Sequence, residues 1–116
     1  MTVVVLVNAL CALLTAVFGI VGLVRPLLLA SGEHLTRGLT YYAYAYGVRA
    51  VPLGIATIVT LATGNVAAIL PLLITSGLVQ AADSALGIRR RVAGMAISAG
   101  VTAAIHLGSA WWLLIR

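Results

Sequence analysis

The sequence predicts an all-α integral membrane protein folded as a four-helix bundle. Of its 116 residues, 63% are hydrophobic and only 8% are charged, and the mean hydropathy is +1.19. A soluble domain carries about 25% charged residues, and a chain this short can bury only part of its apolar surface. The composition therefore excludes a soluble enzyme, a nucleic-acid-binding module and a disordered chain.

Four apolar stretches are each long enough to cross the hydrocarbon core of a bilayer as a helix, which takes about 20 residues. We expect a single transmembrane domain, 1–116, with helices at about 3–24, 39–62, 66–88 and 92–115. The first stretch holds no charge and ends at Arg25-Pro26. Because it lacks a preceding basic segment and exceeds the usual apolar part of a secretion signal, we expect it to be retained.

The other spans are bounded by turn-forming or basic residues. The second span is interrupted by Arg49 and ends before Thr63-Gly64-Asn65, which is typical of a tight turn. The third contains Asp83 and ends at Arg89-Arg90-Arg91, and the fourth contains His106. These connections are short, so they leave no room between the spans for an extramembrane catalytic lobe.

The distribution of arginine predicts the orientation in the membrane. The connections 25–38 and 89–91 carry five of the seven basic residues, whereas the opposite side carries Arg116 alone. By the positive-inside rule, both connections face the cytoplasm and both termini face outward. Trp111 and Trp112 then lie at the outer interface, where aromatic rings anchor helices. We therefore expect a multi-pass protein of the cell (inner) membrane, with the lipid bilayer as a partner and no nucleic acid.

Polar or small residues recur at helical spacing on every span. Since a lipid-facing helix surface has no use for polar side chains, we interpret these stripes as facing the bundle interior. Small residues such as Gly19, Gly22, Gly94 and Ser98 are expected to let helices approach closely. The stripes are Asn8, Cys11 or Ala12, Thr15, Gly19 and Gly22; Tyr42, Tyr46 and Arg49; Ser76, Gln80, Asp83 and Gly87; and Ser98, Thr102, His106 and Ser109.

An ion pair between Arg49 and Asp83 is the central expectation from these stripes. Asp83 is the acid and Arg49 the base found within the spans, and an isolated charge there costs about 2.5–3.5 kcal/mol. The two residues differ in expected depth by only about 7 Å, a gap that an arginine side chain can bridge. The pair could fix the register of two helices, form a functional site, or do both.

Two further groups extend the candidate site. Tyr46 lies on the Arg49 face, deeper than an interfacial aromatic belt requires, and its phenol could donate to a ligand. His106 is either an interhelical hydrogen-bonding residue or a proton donor. The candidate catalytic residues are Asp83, Arg49, Tyr46 and His106; the candidate substrate contacts are Tyr42, Gln80, Asn8, Ser76 and Thr102. We expect no metal and no cofactor, since one Cys, one Asp and one His on separate helices make a poor ligand set.

The segment Tyr42-x-x-x-Tyr46-Gly47-x-Arg49, with Ala82-Asp83 and His106, resembles the DoxX-like group of small membrane proteins. It is similar in particular to branches of that group without an assigned activity. The resemblance would cover most of the chain, and it implies a four-helix bundle in a membrane. Some members are linked to quinone- or thiol-dependent redox chemistry, whereas this chain has the single Cys11. Small multidrug resistance transporters share the size and span count, but their membrane-embedded Glu in helix 1 has no counterpart here.

Three functions fit these features. The first is a cofactor-free acid–base enzyme acting on a small lipophilic substrate by isomerisation, cyclisation or epoxide opening, with Asp83 positioned by Arg49. The second is a proton-coupled small-molecule carrier or exporter that works as a homo-oligomer, with Asp83 as the proton site. The third is an accessory membrane subunit without chemistry of its own. The sequence favours the enzyme by a narrow margin, because an acid, a base, a phenol and an imidazole exceed what packing requires.

Overall fold

A computed structural model describes residues 1–29, 32 and 34–116. Each of the four long helices is long and apolar enough to cross a membrane. The predicted four-helix membrane bundle is thereby confirmed, and each helix begins and ends within about two residues of the expected bounds. The helices are α1 (Thr2–Val24), α2 (Arg37–Thr63), α3 (Val66–Arg89) and α4 (Ala93–Ile115), and a short 3-10 helix at Pro26–Leu29 follows α1.

Local side chains explain where the helices begin and end. Thr36 caps α2, because its hydroxyl accepts a hydrogen bond from the Leu39 N–H at 3.1 Å. Gly64 ends the same helix in the left-handed conformation at φ 67°, which glycine adopts without steric cost. Asn65 then caps α3 by accepting from the Ala67 N–H at 3.1 Å. The tight turn expected at 63–65 is present for these reasons.

Small residues bring α1 and α2 together along their length. A Cβ added to Gly54 would lie 2.6 Å from the carbonyl oxygen of Ala12, and one added to Gly19 would lie 3.0 Å from the Cβ of Ala50. Near the other end, a Cβ on Gly22 would come within 2.9 Å of the Ala43 carbonyl oxygen. The expectation that Gly19 and Gly22 permit close packing is therefore met, and α1 and α2 form a tightly packed hairpin.

The helices α3 and α4 form a second hairpin by the same means. A Cβ on Gly87 would lie 2.6 Å from the backbone nitrogen of Ala96. One turn away, the Ser84 hydroxyl donates to the Ala96 carbonyl at 2.6 Å, and a Cβ on Gly100 would meet that same hydroxyl at 3.0 Å. Backbones in this hairpin are thus as close as those in the first.

The two hairpins meet in a different way. The backbones of α2 and α3, and those of α1 and α4, approach each other at few points. At the end that holds the 63–65 turn, a buried apolar cluster joins the hairpins: Leu61, Ile69, Leu73, Ala110 and Leu113. Toward the other end, the contacts between hairpins include a series of polar side-chain pairs. Packing within each hairpin is therefore tight, whereas the interface between them, here called the seam, combines an apolar cluster at one end with polar side-chain pairs.

The stripe expected at Gly94 and Ser98 does not pack inside the bundle. Both residues are exposed, and a Cβ added to Gly94 would have no neighbour within 4 Å. The expectation that these two residues mediate close packing was wrong within this chain, because α4 turns a different small-residue face, containing Gly100, toward α3.

Antiparallel hairpins place the basic residues of the first and third connections at one end of the bundle, here called the basic end. Tyr42 contacts Met95 there, which shows that α2 and α4 begin at the same level. Of the connection 25–38, residues 30, 31 and 33 lie outside the described residues. Trp111 and Trp112 are exposed near the opposite end.

Candidate functional site

The expected ion pair is present and joins the two hairpins. The Arg49 Nη2 donates to the Asp83 Oδ1 at 2.6 Å. Arg49 lies about 18 Å along α2 from its first residue, and Asp83 lies about 9 Å from the last residue of α3. The long arginine side chain bridges this difference by extending toward the basic end.

The two partners differ sharply in exposure. The Asp83 side chain is 5% exposed, whereas the Arg49 side chain is 45% exposed. The Arg49 guanidinium also lies 5.8 Å from the centre of the Tyr46 ring, within the range of a cation–π interaction. The carboxylate is therefore enclosed by protein, while almost half of the Arg49 side chain is open to the surroundings of the bundle.

Tyr42 adjoins this pair on the basic side. Its hydroxyl donates to the Met95 Sδ at 3.2 Å, which links α2 to α4. The residue is 38% exposed. Tyr42 precedes Tyr46 by one helical turn and Arg49 follows it by one turn, so all three lie on the same face of α2. Together, Tyr42, Tyr46, Arg49 and Asp83 form the cluster that we call the α2–α3 site.

A second group of polar contacts lies near the middle of the bundle. Gln80 Nε2 donates to Thr15 Oγ1 at 2.9 Å, and Thr15 in turn donates to the Cys11 carbonyl at 2.9 Å. The hydroxyls of Thr57 and Ser76 are 3.1 Å apart and share a hydrogen bond. These side chains border a narrow void that has no space for a water molecule.

A third group, on α1 and α4, surrounds Asn8. His106 Nδ1 and Asn8 Oδ1 are 2.6 Å apart, and since the amide oxygen can only accept, the ring nitrogen donates. Asn8 Nδ2 donates to Ser109 Oγ and to the Val4 carbonyl, each at 2.7 Å. Asn8 and His106 are almost fully buried. Each polar atom of the Asn8 side chain is engaged, so this cluster ties α1 to α4.

The structure thus divides the predicted site residues among separate groups. Of the candidate catalytic residues, Tyr46, Arg49 and Asp83 come together, whereas His106 bonds to Asn8 elsewhere. Among the candidate substrate contacts, Tyr42 joins the α2–α3 site, while Gln80, Ser76 and Asn8 belong to the other two groups. Thr102 donates to the Ser98 carbonyl on its own helix at 2.9 Å.

Two residues that take part in these polar contacts, Thr57 and Met95, were not predicted from the sequence. Thr57 also donates to the Leu53 carbonyl one turn earlier, so it resembles any hydroxyl satisfied within its own helix. Its position two turns after Arg49 was the signal that could have marked it as inward-facing. Met95 was missed because a thioether in an apolar span is not distinguishable from a packing residue. Among the described residues, no three His, Cys, Asp or Glu side chains are close enough to hold a metal ion.

No family model matches this sequence, and neither the curated proteins nor the solved structures include one with significant similarity to it. The resemblance to the DoxX-like group therefore stays a prediction.

Proposed function

We propose that this protein is a proton-coupled carrier of a small lipophilic molecule, with Asp83 as the proton site and Arg49 as its counter-ion. The observation that carries the proposal is the asymmetry of the pair. Asp83 is buried, whereas Arg49 is half exposed. A buried carboxylate can lose its partner at low cost only by taking up a proton. Binding of any group that displaces Asp83 from Arg49 is therefore coupled to the protonation of Asp83.

The hairpin architecture supports this proposal. Each hairpin is a tightly packed unit, whereas the seam between them depends partly on polar side chains. Hydrogen bonds between membrane helices contribute about 0.6 kcal/mol on average, so such a seam can rearrange more readily than the packed interior of a hairpin. The Arg49–Asp83 bond crosses this seam. Its formation and release would alter how the hairpins are held, as a carrier requires.

Assembly of several copies belongs to the proposal. Four helices enclose little space, and the narrow central void is too small for a water molecule. The half-exposed Arg49 would border hydrocarbon in an isolated chain; a charge costs about 2.5–3.5 kcal/mol at the bilayer centre and less near the polar boundary. A homo-oligomer in the cell (inner) membrane would cover part of this surface and leave the rest open to a ligand. The arginine-rich connections would face the cytoplasm, and both termini would lie outside.

The test uses purified protein in liposomes that contain a trapped pH indicator. A lipophilic cation, dodecyltrimethylammonium, and a lipophilic anion, dodecanesulfonate, are each added across a pH gradient. We expect one of them to produce protein-dependent proton movement that Asp83→Asn abolishes. Ser98→Ala, at an exposed position on α4, is the matched control and should behave like the wild type. If wild-type liposomes respond no more than empty ones to either compound, the carrier proposal is wrong.

A specific observation favours a second candidate, an accessory subunit without chemistry. Among the described residues, no buried side-chain nitrogen or oxygen lacks a hydrogen-bond partner, as expected of polar groups that serve only to hold helices together. In that case Asp83→Asn and Arg49→Gln would lower stability together, with no separate loss of proton movement. Thermal unfolding of both variants, measured beside the liposome assay, distinguishes the two candidates.

The acid–base enzyme is less well supported by this geometry. A general base has to reach the proton that it abstracts, within about 3.2 Å, and a donor has to act on the same substrate. His106 bonds to Asn8 rather than lying beside Asp83, which leaves Tyr46 as the candidate catalytic proton donor that remains at the α2–α3 site. An enzyme would therefore have to act with Asp83 and Tyr46 at the open α2–α3 surface.

A further inference from the structure

The exposed Arg49 side chain lies at a depth in the membrane that follows from the length of α3. The helix α3 has 24 residues, or about 36 Å, and therefore exceeds the hydrocarbon thickness of about 30 Å by a few ångströms at each end. Asp83, about 9 Å from the end of α3, then lies about 6 Å below the polar boundary at the basic end. The Arg49 guanidinium, bonded to it, lies at the same level.

At this level a charged end group of an amphiphile can meet the protein while its hydrocarbon chain stays in the membrane. The surface beside Arg49 suits such a molecule, because the Tyr46 ring lies 5.8 Å from the guanidinium, and Tyr42, one turn earlier on α2, is also exposed. Arginines 89–91 lie just above, at the end of α3, and attract anions to this leaflet. The depth, the aromatic rings and the positive charge all favour an amphiphile with an anionic end group.

The hydrogen-bonding capacity of Arg49 agrees with that class. A guanidinium carries five N–H donors in a planar fork that matches the paired oxygens of an acid group. In the structure, Nη2 donates to a single carboxylate oxygen, and almost half of the side chain is exposed. An incoming acid group would find both an exposed, positively charged side chain and a partner, Asp83, that it can replace.

We propose that the substrate is a lipophilic anion with a singly charged acid group, which binds Arg49 from the membrane side in place of Asp83, while Asp83 takes up one proton. This inference rests on the proposed carrier function. The proton comes from water at the basic end and forms an O–H bond on the freed carboxylate. Because one anion and one proton enter together, the net charge of the occupied site equals that of the empty one.

The neighbours of Asp83 make it the proton acceptor. The charged and ionisable groups around it are Arg49, Tyr42 and Tyr46 on α2, with Arg90 at the end of α3 acting on Tyr42, and arginine stays charged at any accessible pH. Elsewhere in the spans, Cys11 on α1 is buried beside Thr102 of α4, and His106 on α4 is bonded to Asn8. A cationic substrate, by contrast, would approach the positive face of Arg49 and be repelled. Binding of an anion at Arg49 is therefore coupled to the uptake of a proton by Asp83.

The experiment measures binding of dodecanesulfonate to the purified protein in nanodiscs of zwitterionic lipid, with empty nanodiscs subtracted. This probe stays ionised across the working pH range, so any proton taken up goes to the protein. A pH indicator in weak buffer reports the protons, and radiolabelled probe reports the binding. We expect about one proton per bound anion, and hence an affinity that falls about tenfold per pH unit while Asp83 is ionised in the free protein.

Variants assign the effect to the pair. Asp83→Asn should bind dodecanesulfonate without proton uptake and without pH dependence, whereas Asp83→Glu should keep both. Arg49→Gln should lose at least about tenfold in affinity, the effect of one charge-assisted hydrogen bond. Arg116→Gln, at the opposite end of the bundle, is the matched control and should match the wild type.

Several results would overturn the inference. These are an absence of saturable dodecanesulfonate binding, undiminished proton uptake in a folded Asp83→Asn, or binding of dodecyltrimethylammonium with proton release. The last result would leave the carrier intact and change its substrate to a cation. Conversely, dodecanesulfonate binding with proton uptake, but without proton movement in liposomes, would uphold the ligand and refute the carrier.

Discussion

Replacing Gly54 by alanine tests whether close backbone contact holds the first hairpin together. The new Cβ would lie 2.6 Å from the Ala12 carbonyl oxygen and 2.9 Å from the Ala16 Cβ. Contacting heavy atoms normally lie about 3.5–4.0 Å apart, so α1 and α2 would have to separate by roughly 1 Å. The obstacle is the backbone of α1, so it cannot be relieved by rotating a side chain.

We expect Gly54→Ala to lower the free energy of unfolding by about 1–3 kcal/mol, the usual cost of overpacking. The matched control is Gly94→Ala, because its Cβ would meet nothing within 4 Å. In a water-exposed helix that change would favour folding by about 1 kcal/mol, because alanine is the better helix former. The two variants should therefore differ by at least about 1 kcal/mol, or roughly fivefold in the folding equilibrium.

The thiol of Cys11 can report the unfolding of these variants. Cys11 is buried, and it is the single cysteine of the sequence. A dye that becomes fluorescent on reaction with a thiol therefore reports the exposure of α1 as the detergent-solubilised protein is heated. Gly54→Ala should react at a lower temperature than Gly94→Ala. Equal transition temperatures for the two variants would refute the idea that backbone contact holds the hairpin.

Two further predictions concern the α1–α4 contact and the orientation. Asn8→Ala removes two hydrogen bonds to α4 and should lower the free energy of unfolding by about 1–3 kcal/mol, measured by the same thiol assay. Ser98→Ala, at an exposed position where the hydroxyl bonds within its own helix, should change it less, and equal losses would contradict this role of Asn8. In a Cys11→Ala background, an impermeant thiol reagent applied to intact cells should label Thr63→Cys but not Arg90→Cys. Labelling of Arg90→Cys alone would reverse the proposed topology.

The fold could be predicted because hydropathy reports directly on what a membrane requires. Four long apolar stretches, separated by Gly64-Asn65 or by arginines, leave few alternatives. The Arg49–Asp83 bond could be predicted for a similar reason, since an acid and a base that share the hydrocarbon region are strongly driven to pair. In both cases a large energetic cost removes the competing arrangements.

The remaining polar contacts could not be assigned in advance. Helical periodicity identifies the inward face of Asn8 or Gln80, but it does not say which neighbouring helix that face meets. Several partners of similar energy were available, so the pairing of Asn8 with His106, and of Gln80 with Thr15, depends on how the hairpins dock. The same ambiguity explains the error at Gly94: α4 carries more than one small-residue face, and only tertiary packing selects between them.

The position of the ion pair along the seam bears on how a carrier of this design could open. The apolar cluster around Leu73 packs the two hairpins together near the 63–65 turn, and Asn8 adds hydrogen bonds between α1 and α4. Nearer the basic end, the contacts across the seam include the Arg49–Asp83 bond and the weak hydrogen bond from Tyr42 to a sulfur atom. Release of Asp83 from Arg49 would therefore loosen the seam at the basic end while the opposite end stays closed. Ligand exchange would then occur beside Arg49, on the side from which the proton arrives.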